Sequence, residues 1–123
     1  MNSKRSQMTK GELEASFTKR MVKFEKEYLG RGPLDARTYL INDMVVVRLR
    51  GVLTPAEEKL AENREGQGLV KEARRQLFET SRAILQEFVQ EIFEAELVDL
   101  FSDISTETGE RVIVLTVDKD FGR

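Results

Sequence analysis

Apolar residues recur along the start of the chain at spacings of three and four: Leu13, Phe17, Met21, Phe24 and Tyr28. That rhythm fits 3.6 residues per turn and stacks all five on one face of a helix, which places all five in the core. Thr9 and Glu12 stand where a capping box needs them at the helix start. Gly30 and Gly32-Pro33 stop the helix near Leu29. The rhythm then becomes strand-like and rich in β-branched residues over Ala36–Ile41 and Met44–Val52. Asn42-Asp43 between them is a two-residue connection that tolerates positive φ, so the pair is expected to form a hairpin. Val45, Val47 and Leu49 face one side; Met44, Val46, Arg48 and Arg50 face the other.

Gly51-Val-Leu-Thr-Pro-Ala-Glu-Glu58 passes from strand to helix. Thr54 can cap through its hydroxyl, Pro55 suits the first helical position, and Glu57 can reach back to close a second capping box. A short helix is predicted from Pro55 to about Arg64, interrupted at Gly66-Gln-Gly68. A long helix is predicted from Leu69 to about Glu94. Its apolar arc holds Val70, Ala73, Leu77, Ile84, Phe88 and Ile92, with Phe78, Leu85 and Val89 on its shoulder. Leu97–Ile104 and Arg111–Val117 read as a closing pair of strands around a turn-forming cluster, Ser105 to Glu110.

The order is α-β-β-α-α-β-β, which predicts an α+β fold: a two-layer domain with a four-stranded antiparallel sheet built from two hairpins and helices packed on one face. Residues 1–8 read as a disordered tail, 9–118 as one domain and 119–123 as a C-terminal tail. The last strand is apolar on both faces, and the helices can cover only one side of the sheet. A homo-oligomer, with a dimer favoured, is therefore expected through the second sheet face or an edge strand.

Composition narrows the function classes. A chain of 123 residues suffices for one proper core, burying roughly two-thirds of its unfolded surface. It has neither Cys nor His. Disulfides, thiolate nucleophiles, histidine triads and histidine-ligated metals are excluded. The 20 basic and 22 acidic residues leave a net charge of −2, which gives no support to nucleic-acid binding. No apolar run approaches the roughly 18 residues of a membrane span. The first ten residues lack a signal core, so a cytoplasmic location is expected.

Candidate chemistry is sparse. Gly30-Arg-Gly-Pro33 follows a helix rather than preceding one, so it reads as a helix stop and not a phosphate loop. Lys71, Arg74, Arg75 and Arg82 form the most suggestive cluster, a candidate anion or partner-binding patch. On a continuous helix Lys71, Arg75 and Arg82 fall within about 40° of one another, with Phe78 beside them. Arg74 interrupts the apolar arc, where patterning expects a hydrophobe. It is expected either to snorkel, or to pair with a buried acid such as Asp99 or Asp103, or to await an anion. Asp103, in Ser102-Asp-Ile-Ser105, could act as a general base or hard-cation ligand, although turn formation and edge solvation also explain it. No nucleophile is positioned with a base. No catalytic, cofactor or metal residues are assigned.

The run from Arg37 through Asp43-Met-Val-Val-Val-Arg-Leu-Arg-Gly-Val-Leu-Thr-Pro-Ala-Glu57, with Lys59-Leu-Ala61, Leu69-Val-Lys71 and Arg74-Arg75, resembles the MpsC family. So do Gly30-Arg-Gly-Pro33, Ser102-Asp-Ile-Ser105 and Gly109-Glu-Arg-Val112. The resemblance covers about residues 10–118. One departure lies at Glu94-Ala-Glu96, where related sequences often break the helix with Gly. The family name implies an accessory component of a sodium-linked, membrane-potential-generating system associated with inorganic carbon uptake. It carries over no catalytic or ligand residues. A chain without a span cannot itself translocate an ion, so a membrane transporter partner is implied. The reading is a non-enzymatic accessory or regulatory subunit. The alternative is a small-anion or nucleotide sensing module using the basic helix patch.

Overall fold

The structure, a computed structural model, describes residues 8–123. The tail expected over residues 1–8 therefore lies almost wholly outside the described residues. Met8 packs against the core.

Helix α1 runs Lys10–Leu29. Its capping box is complete: Glu12 N donates to Thr9 Oγ1 at 3.1 Å, and Thr9 N donates to Glu12 Oε1 at 3.0 Å. Gly30 ends it in the left-handed region at φ 91°, which glycine enters without a Cβ clash. Leu13, Phe17, Met21 and Phe24 are buried as expected, and so is Glu25. Tyr28 departs from the expectation. Half its surface is exposed, and its ring stacks on Phe24 with centroids 4.9 Å apart. The stripe outruns the core by one turn, and an aromatic with a polar tip tolerates that.

Strands β1 (Asp35–Ile41) and β2 (Met44–Arg50) form the expected hairpin. Asn42 takes φ 54° at the turn. Strand β2 ends before Val52, because Gly51 turns the chain at φ 66°. Leu34 packs so tightly there that a Cβ on Gly51 would lie 2.6 Å from its side chain. Strands β3 (Leu97–Ile104) and β4 (Arg111–Val117) form the second hairpin. The hairpins join through β2 and β4, giving the antiparallel order β1-β2-β4-β3. Val45, Val47, Leu49, Ile113 and Leu115 are fully buried on the helix-covered side.

Between the hairpins lie α2 (Pro55–Leu60), α3 (Arg64–Thr80) and α4 (Arg82–Phe93). The α+β class and the element order stand, but the long helix is divided and its start is earlier. Gly66-Gln-Gly68 is no interruption; it lies within the opening turns of α3. Asn63 caps that helix by accepting from Gly66 N at 2.8 Å. Gly66 is glycine because α2 comes so close: a Cβ there would lie 1.6 Å from the Leu60 carbonyl oxygen. The break falls instead at Ser81, whose hydroxyl donates to Leu77 O at 2.7 Å, a back-bond that competes with the helical ladder.

The arc on α3 is also rotated from its predicted setting. Gly66, Val70, Arg74 and Phe78 form the buried line, spaced by four, while Ala73 and Leu77 are exposed. On α4 the buried residues are Leu85, Val89, Ile92 and Phe93. Residues beyond Val117 return across the first hairpin. Phe121 N donates to Asn42 O, and Asn42 N donates to Gly122 O, both at 2.7 Å.

Candidate functional site

The buried line of α3 aims Arg74 at a largely buried ion cluster. Arg74 is 2 % exposed. Its guanidinium forks onto Glu57: Nε donates to Oε2 and Nη2 to Oε1, each at 2.6 Å. Nη2 also donates to Val52 O at 2.9 Å. Glu57 is held for this by its own helix. It is the third residue of α2, and its Oε1 accepts from Thr54 N at 2.9 Å. One carboxylate thus caps α2 and clamps α3 to the loop that follows β2, and a bidentate pair of this kind is among the strong ones.

Glu25 and Arg111 complete the cluster. Glu25 is wholly buried, and its Oε2 accepts from Arg111 Nη1 at 3.2 Å. Arg111 Nε donates to Ser102 Oγ at 3.0 Å, and its guanidinium lies over the Phe78 ring, 4.9 Å from the centroid. Two arginines and two glutamates therefore balance in formal charge. The balance is not fully bonded. Glu25 Oε1 and Arg74 Nη1 face each other at 3.6 Å, and neither has a hydrogen-bond partner.

Burial pushes the Glu25 carboxyl above its ordinary range, although the charges of Arg111 and Arg74 pull it back. Glu57 moves the other way. Burial raises it, but hydrogen bonds from Arg74 and from the Thr54 backbone prevail and leave it below the usual value. Burial also lowers Arg111, without threatening its charge at any ordinary pH.

Arg74 thus pairs internally, but not with Asp99 or Asp103, the acids expected from sequence. Both are exposed on β3. Asp103 lies 4.0 Å from Lys71 Nζ and stands in no enclosed setting that would suit a general base. Glu25 and Arg111 escaped the sequence reading. Both carried a signal: Glu25 lies four residues after Met21 on the buried face of α1. Arg111 shares parity with Ile113, Leu115 and Val117 on the inward face of β4.

Above the cluster a cleft of about 420 Å³ opens between α3 and β3. Lys71, Arg75 and Phe78 line one wall, Leu100 and Asp103 the other, and Arg111 lies among the residues beneath. Arg75 is already engaged: it pairs with Glu72 at 2.6 Å and Glu79 at 2.8 Å. The bonds from Arg75 and Gln76 lower the Glu72 carboxyl to about 2. Arg82 stands apart. The break at Ser81 separates it from the α3 wheel, and its Nη2 donates to Val98 O at 3.0 Å. Three of the four candidate cations, Lys71, Arg74 and Arg75, border one cleft; Arg82 does not. The Gly30–Pro33 turn is likewise structural, with Arg31 Nη1 donating to Leu53 O at 2.8 Å.

Glu57, Arg74 and the strand-to-helix turn that unites them come from the stretch that carried the family resemblance. A family model described as "Na+-translocating membrane potential-generating system (MpsC)" matches residues 9–119. The chain belongs to the MpsC family. It is 35 % identical over 112 residues to the uncharacterized protein YbcI of Bacillus subtilis (strain 168), covering 91 % of this chain and 90 % of that protein. It is also 35 % identical over 98 residues to the uncharacterized protein YrhF of the same organism, covering 79 % of this chain and 80 % of that one. No solved structure matches. Among the described residues no helix is long and apolar enough to cross a membrane.

Proposed function

We propose that this member of the MpsC family is a non-enzymatic accessory or regulatory subunit, cytoplasmic, of a membrane cation or inorganic-carbon transport system that generates a membrane potential. The observation that carries this reading is the match of nearly the whole chain to a family described by that system, combined with the lack of any described helix able to span the bilayer. Ion movement needs a continuous path through the hydrocarbon layer, so the role is exercised through a membrane-spanning partner. Cells lacking the chain should show a lower sodium-dependent membrane potential by a potential-sensitive dye, restored on re-expression. An unchanged potential and unchanged sodium dependence would sink the reading.

The cleft between α3 and β3 favours a second reading, a small-anion or nucleotide sensor, because Lys71 and Arg111 border a partly apolar hollow. Its weakness is electrostatic: Glu72, Glu79 and Asp103 border the same space. Thermal shifts against phosphate, bicarbonate and nucleotides test it, since a ligand of the folded state raises the melting point with occupancy. A shift that disappears in Lys71→Ala supports the sensor; no shift with any of the three removes it.

A further inference from the structure

The helices cover one side of the sheet, and the other side has a pattern of its own. The strand register aligns Tyr39, Val46, Val114 and Phe101 in one row across all four strands. Tyr39 and Phe101, at the two ends of this apolar band, are 38 % and 54 % exposed. The neighbouring row reads Arg37, Arg48, Val112, Asp103. It is basic toward β1 and acidic toward β3. Arg48 is already paired with Glu110 at 3.0 Å; Asp103, at the sheet edge with its side chain 86 % exposed, has Lys71 only at 4.0 Å, and Arg37 has no ion partner among the described residues.

The sheet edges are poor docking sites by contrast. On β1 the Leu40 N–H donates to Glu14 of α1 at 2.8 Å. On β3 the Leu100 and Ile104 N–H groups are taken by Asp99 and Asp103, at 3.0 and 2.8 Å. Occupied backbone donors and edge carboxylates discourage strand addition.

We propose that the open sheet face binds a second copy of this chain, in a two-fold dimer whose axis runs along the mean strand direction. Such an axis lays β1 over β3 of the partner subunit and keeps each row opposite itself. The apolar band then packs on its own copy, Tyr39 against the partner's Phe101 and Val46 against the partner's Val114. In the next row Arg37 meets the partner's Asp103, and symmetry makes that pair twice. An axis across the strands fails on charge, because it reverses the row order and sets Asp103 against the partner's Asp99. Aligned packing of two sheets about 10 Å apart is an ordinary arrangement for such faces. With strands about 4.8 Å apart and about 3.4 Å per residue, a face of four seven-residue strands measures about 19 by 24 Å. That footprint sits at the small end for a specific interface, so the dimer dissociates on dilution.

Sedimentation equilibrium from roughly 1 to 100 µM, where a small interface is expected to pass from monomer to dimer, reads this directly. The wild-type chain should dimerise. Arg37→Glu and Asp103→Arg should each raise the dissociation constant about tenfold or more, because each sets like charges opposite twice. The double variant Arg37→Glu with Asp103→Arg should recover dimerisation, because it restores opposite charges. Phe101→Glu should abolish the dimer, and unchanged far-ultraviolet spectra would show that these surface variants fold. A monomer throughout overturns the proposal. So does a dimer indifferent to Phe101→Glu, or a charge-swapped double variant no better than the singles.

Discussion

The two sides of α3 carry the same chemistry in opposite settings. On the inner side Arg74 grips Glu57 in a largely buried cluster, the Glu57 side chain being 20 % exposed. On the outer side Arg75, the next residue, grips Glu72 and Glu79 in the open. The geometries are alike, with closest distances of 2.6 Å in both. Their consequences differ because water screens the outer pairs far more than the inner one. An exposed pair merely exchanges water contacts for protein contacts. In a buried pair the desolvation cost is already spent, so losing one partner strands the other charge.

The largest expected effect tests the inner side. Arg74→Ala should cost about 3–5 kcal/mol, since it leaves Glu57 and Glu25 facing an unoccupied space. Chemical denaturation measures it, and a loss under about 1 kcal/mol would show that the cluster relaxes or admits water. Next come two glycines on the same helix. Gly66→Ala should destabilise by about 2–3 kcal/mol, because the new Cβ meets a backbone oxygen that cannot rotate away. Gly68→Ala should stabilise by about 0.5–1 kcal/mol, since nothing lies within 4 Å of its would-be Cβ. Equal effects at both positions would mean that α2 does not hold its close approach to α3.

Acid separates the two sides further. Glu57 and Glu72 both sit below their ordinary value of 4.5 in the folded chain. Each therefore contributes stability that is present above the unfolded value and lost as pH falls through the folded one. Glu25 has the opposite sign: its raised value costs stability at neutral pH, and acid relieves that cost. Denaturation midpoints followed downward through about pH 4.5 at low and high salt should show a salt-resistant loss that disappears in Glu57→Gln. The part due to Glu72 should fade with salt. The smallest expected effect is that of Arg75→Ala, a slight loss that added salt removes. If Arg75→Ala proved more destabilising than Arg74→Ala, the contrast between the two sides would be reversed.

Helix ends supply a finer contrast. Gly30 closes α1 in the left-handed region, whereas Glu94 closes α4 there at φ 56°. Glu94→Gly should gain up to about 1 kcal/mol by removing the Cβ from a conformation that L residues avoid.

Much of the architecture follows from local chemistry that sequence displays openly. Thr9 with Glu12, and Thr54 with Pro55 and Glu57, specify helix starts within a few residues. Asn42-Asp43 between alternating strands specifies a hairpin, and the parity of Val45, Val47 and Leu49 specifies which side is covered. All of these depend on neighbours within four positions, so the sequence by itself determined them. The α+β class follows from their order.

Tertiary structure decided the rest, because those features depend on groups far apart in the chain. Gly66 resembles a helix breaker until the Leu60 carbonyl is seen against it. The α3 arc could be drawn through Ala73 and Leu77 or through Arg74 and Phe78, and only packing against the sheet selects the second. Arg74 was legible as an anomaly, but its partners were not: Glu57 is seventeen residues away, and Glu25 reaches the cluster from another helix. A wheel assumes one unbroken helix, so it placed Arg82 beside Arg75 across a break at Ser81. The hairpins were local, but their joining through β2 and β4 was not. That join alone aligns Arg37, Tyr39, Phe101 and Asp103 on one open face, because register between distant strands is set by which side chains must leave water together.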